Sequence, residues 1–232
     1  MNPILATVIT LFAALAFLRL MDFIAHKGLI TSRISRKVIH IGTGPIFVMC
    51  WLLFPDVWYA RYLAALVPGL ITVQFALTGL GVIKDEASVK AMSRSGDPKE
   101  ILRGPLYYGM MFVALTVLFW KDHPAGVVAL MMLCGGDGIA DLVGRGIASP
   151  KLPWSQKKSV AGTISVFLGG LAFSLAVLWG FDQFGIFPLA YTKVGTLALI
   201  ALVATVVESF PMADVDNLTI SVMSALLGWL WL

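Results

Sequence analysis

Eight times the chain runs apolar for long enough to enter a bilayer, and that repetition restricts the fold more than any motif does. A span needs about 20 apolar residues. Candidate runs lie at about 3–24, 38–54, 58–82, 105–120, 125–148, 160–179, 193–209 and 217–232. In lipid every backbone polar group needs an internal partner, so runs of this length fold as helices. The expected class is all-α: a polytopic membrane helix bundle with about eight transmembrane helices. The fourth run is short, and Gly135, Gly136 and Gly138 interrupt the fifth, so seven spans plus a re-entrant fifth segment is the alternative.

Composition agrees. Of the 232 residues 59% are hydrophobic and 13% charged, against about a quarter charged in soluble domains. The first run, Pro3 to Leu18, has no basic stretch before it and no small-residue cleavage site after it, so it reads as a retained span. Cys50 and Cys134 sit in apolar runs without a CxxC pair, which excludes a disulfide framework and a zinc site and leaves buried, inert thiols.

The charges orient the chain. Of the 17 lysines and arginines only Arg61, Lys121 and Lys193 fall on one side of the eight-span arrangement; the rest fall on the other. That asymmetry places the basic side in the cytoplasm or stroma, with both termini opposite. It also accounts for the net charge of +4, so no nucleic acid is expected as a partner. Most acids share the basic side, including Asp97, Asp137, Asp141, Glu208, Asp214 and Asp216. Trp51, Trp58, Tyr59, Tyr62, Trp120, Trp229 and Trp231 collect near the opposite span ends as an aromatic belt; Tyr107 and Tyr108, at the inner end of the fourth span, are expected to be belt residues too, with the lining of a lipid entrance as the alternative. Residues 1–232 form one domain, with basic-side loops at about 25–37, 83–104, 149–159 and 210–216. Within the longest loop a helix is expected near Pro98 to Leu102, capped by Asp97.

Several of these charged residues can carry chemistry. Asp137 and Asp141 interrupt an apolar run, where carboxylates are costly and mark a functional site. Their i, i+4 spacing puts both on one helix face, and the adjacent glycines would let backbone or a ligand approach. Two such carboxylates suit Mg²⁺, which takes one or two of them together with phosphate oxygens and water. Arg145, Lys151, Lys157 and Lys158 follow, then Ser159, Gly162 and Thr163 at a helix start whose N–H groups could receive an anion. The plainer reading of any one lysine is a positive-inside residue. No GxxxxGK[ST] occurs, so a P-loop is absent.

Arg36, Lys37 and His40 open the second span as a phosphate-binding or proton-handling group, or else as snorkelling cations beside a packed histidine. Glu208 and Asp216 bracket Pro211, which is expected to end the seventh span and bring the two acids together. They could complete the cation site or act as general base toward a hydroxyl, or only cap two helix ends.

The segments SRKVIH, GDGIADLVGR, LPWSQKKSVAGT and the ES…DN close, in that order, resemble the polyprenol kinase family of dolichol and phytol kinases and their bacterial relatives. The loop SRSGDPKEILRGPLYYG is similar to that of phytol kinase in particular. The resemblance implies an integral membrane enzyme, in a bacterial plasma or thylakoid membrane or a plastid membrane, that phosphorylates phytol, geranylgeraniol or farnesol. CTP is the implied donor and Mg²⁺ the implied cation.

On that basis Asp137, Asp141, Asp216 and His40 are the expected catalytic residues, with Asp137, Asp141 and Glu208 holding the metal. Arg36, Lys37, Arg145, Lys151, Lys157, Lys158, Ser159, Gly162 and Thr163 would bind the nucleotide. A phosphatidate cytidylyltransferase-like enzyme is the rival, since its lysine-rich segment looks similar. Its closing acidic signature, however, has no counterpart in ADVDNLT. A secondary transporter also uses broken helices and buried carboxylates, yet it should offer polar residues on both sides.

Overall fold

The computed structural model describes residues 1–93, 95–210 and 215–232. A helix occupies each of the eight apolar runs. These are α1 (Pro3–His26), α2 (Ser32–Cys50), α3 (Ala60–Gly79), α5 (Gly104–Phe119), α6 (Ala125–Met131) continuing into α7 (Gly138–Gly146), α8 (Val160–Asp182), α9 (Val194–Ser209) and α10 (Asp216–Trp231). A short α4 (Glu86–Met92) lies in the long loop. Among the described residues five helical segments are long and apolar enough to cross a membrane, and α9 is apolar but shorter. The protein is an all-α membrane helix bundle.

The fifth run is where the glycines were expected to interrupt the helix. Instead α6 and α7 are joined by a π-helical segment, Met132–Asp137, into one helical rod, so no re-entrant break occurs. The glycines serve packing. A Cβ on Gly135 would sit 2.9 Å from the carbonyl oxygen of Gly169, and one on Gly136 would sit 3.1 Å from that of Val166. Helix α8 therefore crosses the rod in close backbone contact, which a side chain at either glycine would prevent.

The rod is the centre of the molecule. Residues Ala125 to Gly136 are buried throughout, with α2, α5, α8 and α10 packed around them. Trp51 and Trp120 depart from the expected belt: they are buried, with rings 5.0 Å apart, and Trp51 also meets Phe47 and Phe181 edge-on. The large rings fill the space between the ends of α2, α5 and α8. Trp58, Tyr59, Tyr62, Trp229 and Trp231 remain exposed.

On the basic side the long loop is ordered by its own acids. Asp85 caps α4 by accepting from the Ser88 N–H at 3.0 Å, and Asp97 caps a 3₁₀ turn, Pro98–Leu102, by accepting from Lys99. The expected helix there is thus a 3₁₀ turn. Glu100 accepts from the hydroxyls of Ser93 and Ser95. The segment between α7 and α8, expected as plain loop, forms a hairpin of β1 (Lys151–Leu152) and β2 (Ser155–Ser159). Arg94, Pro211 and Asp214, and with them the expected break at Pro211, lie outside the described residues.

Candidate active site

Helices α2 and α7 run antiparallel, and their polar spacings match. Lys37 and His40 stand one turn apart on α2, as do Asp141 and Asp137 at the start of α7. Lys37 Nζ lies 3.5 Å from Asp141 Oδ2, and His40 Nε2 lies 3.4 Å from Asp137 Oδ2. Arg145 Nε donates to the other Asp141 oxygen at 2.8 Å, and Arg33 approaches Asp141 at 3.9 Å. Arg36 turns away, its guanidinium donating to the carbonyl of Ser93 at 3.1 Å, so α2 also holds the long loop.

A second cluster faces the first. Lys158, on β2, donates to Glu208 Oε1 at 2.6 Å and to Asp216 Oδ2 at 2.9 Å, and also to the Glu208 carbonyl. The expected meeting of Glu208 and Asp216 therefore takes place, with a lysine between them. Burial works against the Lys158 ammonium, but the two carboxylates outweigh it and hold its pKa above the ordinary lysine value. The hairpin is anchored where Trp154 Nε1 donates to Ser209 Oγ at 3.2 Å. Asn217 ties α10 to the start of α5 through the Gly104 carbonyl, at 2.8 Å.

Both clusters line one cavity of about 1600 Å³, as do Lys151, Lys157, Ser159, Gly162 and Thr163. The start of α8 differs from expectation. Its first N–H groups are already taken: Val160 donates to the Pro150 carbonyl, Ala161 to Ser149 Oγ, and Gly162 to Ser159 Oγ. Gly162 packs against the backbone of Ala140 and Gly144. The helix end is thus capped from within, and the cations beside it are the side chains of Lys151, Lys157 and Lys158.

The metal set changes as well. Among the described residues no three carboxylate, imidazole or thiol groups converge on a metal-binding point, and Glu208 is engaged by Lys158 rather than joined to Asp137 and Asp141. The remaining pair still fits Mg²⁺, because both carboxylates face the cavity and phosphate oxygens can complete the shell.

Tyr108 belongs to the site, not to a belt. Its hydroxyl donates to the His40 carbonyl at 2.7 Å and lies 3.2 Å from Cys134 Sγ, and its ring sits 4.4 Å from the His40 ring. On the α5 side the cavity turns apolar. Leu18 of α1, Ile71 and Phe75 of α3, and Phe112 of α5 line it. Arg19 and His26 of α1, Gln74 of α3 and Asp85, Glu100 and Arg103 of the long loop line the same cavity, so the apolar compartment has polar neighbours on that side too and adjoins the charged clusters at His40, Tyr108 and Asp137.

The sequence matches no protein-family model, and no solved structure matches the chain. Curated relatives do match it almost end to end. It is 38% identical over 229 residues, 98% of this chain and 72% of the relative, to a probable phytol kinase 3, chloroplastic, of Glycine max. It is 40% identical to a probable phytol kinase 2, chloroplastic, of Oryza sativa subsp. japonica, over 95% of this chain and 73% of that one. It is 38% identical to the farnesol kinase, chloroplastic, of Arabidopsis thaliana, over 99% of this chain and 76% of that one. At such identity and coverage the chain belongs to the polyprenol kinase family, alongside the phytol and farnesol kinases.

Proposed function

We propose that the protein transfers the γ-phosphoryl group of CTP to the hydroxyl of a long-chain isoprenoid alcohol, such as phytol, geranylgeraniol or farnesol. The observation that carries this reading is the shared boundary: one cavity is charged on the side of Asp137, Asp141 and Lys158 and apolar on the side of Leu18, Ile71 and Phe112. A polyphosphate suits the first compartment and a prenyl chain the second. The names of the relatives support both the kinase chemistry and the alcohol, and their chloroplastic designation supports a plastid membrane. CTP as donor follows from the family resemblance. The reaction is assigned to the basic face of the membrane, since both clusters lie there.

Phosphoryl transfer needs placement and charge stabilisation more than covalent help from the protein. The alcohol oxygen attacks the γ-phosphorus, the bond from that phosphorus to the bridging oxygen breaks, and CDP leaves. The hydroxyl proton passes to an acceptor lining the cavity, for which His40 and Asp216 stand available. Lys37, Arg145, Lys151, Lys157 and Lys158 offset the phosphate charge. Asp137 and Asp141 would hold Mg²⁺, which supplies further neutralisation of the phosphate oxygens when bound. Tyr108 keeps the His40 backbone and ring in place against Asp137.

The test is direct. Detergent-purified protein is incubated with Mg²⁺, phytol and CTP labelled on the γ-phosphate, with and without EDTA. Label in the lipid phase, abolished by EDTA, is the expected result. Unlabelled lipid, together with lipid-bound cytidylate from α-labelled CTP and phosphatidic acid, would replace this reading with cytidylyl transfer.

A further inference from the structure

The apolar compartment is shallow. On α2 the last cavity-lining residue is Thr43, on α3 Pro68 and on α5 Phe112. Phe112 and Pro68 are buried, Phe112 packs on Phe47 with rings 5.6 Å apart, and Val67 and Leu115 close the next layer. Phe112 stands one helical turn beyond Tyr108, and Thr43 just under one turn beyond His40. From the level of Asp137 to this floor is therefore about 6 Å. Even a farnesyl chain with its hydroxyl at Asp137 is longer than that drop.

The chain must therefore turn sideways, and the burial of α1 and α3 shows where. On α1 the stripe Ala6, Thr10 and Ala14 is buried, but its continuation, Leu18 and Ala25, lines the cavity. On α3 Ala60, Ala64 and Val67 are buried, while Ile71 and Phe75 on the same face line the cavity. The two helices pack against each other, and apart from Thr78 and Gly79, the latter covered by the 3₁₀ turn at Pro98 and Leu102, their buried residues lie in the halves away from the site. In the halves beside it their facing stripes look into the cavity, and Leu15 and Phe23, which also line it, are exposed. The roof on the basic side is α4, held over this gap by Gln74, which donates to Asp85 at 3.1 Å.

We infer that the gap between the site-proximal halves of α1 and α3 is a lateral portal, in which the distal isoprene units of the substrate lie and pass into the surrounding lipid. The inference rests on the isoprenoid-alcohol reading. Its consequence concerns substrate class. The hydroxyl end and the first units are enclosed by protein, and the distal units touch it only between α1 and α3, so the site selects for the head of the alcohol and tolerates any tail long enough to leave through the portal.

A farnesol analogue with a diazirine at its far end tests the placement without requiring turnover. Photolysis on the whole, wild-type protein is followed by mass-spectrometric mapping, with unmodified farnesol as competitor. Labels on the site-proximal halves of α1 and α3, removed by competitor, are expected. Competitor-sensitive labels on Thr43, Phe112 or elsewhere in the bundle would overturn the portal. Kinetics form the second arm. Leu18→Trp and Ile71→Trp should each raise KM for phytol and geranylgeraniol by roughly tenfold while changing KM for the five-carbon dimethylallyl alcohol, too short to reach the portal, less than about twofold. Equal effects on long and short alcohols would also overturn the portal. Portal labelling without phosphoryl transfer to any alcohol in the wild type would instead sink the kinase reading and leave the portal standing.

Discussion

Asp137 and Lys158 sit in the same cavity yet carry different kinds of load. Among the described residues the close side-chain partner of Asp137 is His40, at 3.4 Å, so Asp137→Asn keeps the shape and removes the charge. We expect phosphoryl transfer to fall by about 10²-fold or more, with the thermal midpoint in detergent close to wild type; both are read on one purified preparation. Lys158 is structural as well. Lys158→Met leaves Glu208, only 6% exposed, facing Asp216 without a cation between them. Breaking such a pair costs about 3–5 kcal/mol, and Glu208→Gln added to it should recover part of the loss, as a double-mutant cycle by thermal denaturation would report. The pH dependence has a definite sign. Because the folded pKa of Lys158 is raised, its stabilisation is complete below the free lysine value of about 10.4 and is lost as pH climbs through the higher folded value. The wild-type advantage over Lys158→Met should shrink as pH climbs above about 10.

At the level of elements the decisive contact is that of α8 with the π segment. A Cβ at Gly169 would be driven against the Gly135 carbonyl, a backbone group that cannot swing aside. Gly169→Ala should therefore destabilise by about 1–3 kcal/mol, as overpacking does, and should lower activity along with stability, since Asp137 closes that π segment. Gly195, in α9, is the control: nothing lies within 4 Å of its Cβ position. Gly195→Ala should be neutral or stabilise by up to about 1 kcal/mol. Thermal midpoints of the two variants in one detergent separate a crossing-point glycine from an incidental one. The hairpin and the capped start of α8 belong to this scale too. SQKKS carries no apolar alternation strong enough to announce a strand, and its pairing with β1 depends on the turn around Pro153 and on the Trp154–Ser209 bond.

For the whole molecule the testable quantity is orientation. The basic residues collect where the two clusters and the long loop lie, and Arg61, Lys121 and Lys193 lie at the other end. Single cysteines at Lys157 and Lys193, in sealed vesicles of known sidedness, should label from opposite sides with a membrane-impermeant maleimide. Lys157 should respond from the cytoplasmic or stromal side. Labelling of both from one side would mean that the span count is wrong by one. The two native cysteines offer little background: Cys134 is buried and Cys50 partly so.

Span positions and the helical class were legible in the chain itself, as was the set of charged residues that the fold gathers around one cavity. Length, hydropathy and the cost of charge in lipid act on local sequence, and each expected site residue does line the cavity. What remained open was every question of which group faces which. Lys37 rather than Arg36 meets Asp141, Tyr108 leaves the interface to hold His40, and the N–H groups of α8 are spent on Pro150, Ser149 and Ser159. The glycines of the fifth run admit a neighbouring helix rather than a break, and Glu208 faces Lys158. These choices depend on how antiparallel helices register against one another, a non-local property that no single segment carries. The sequence by itself determined where the chain enters the membrane and which residues are too costly to lack a purpose. Only the tertiary structure decided their partners, because partnership is settled by packing between segments far apart in the chain.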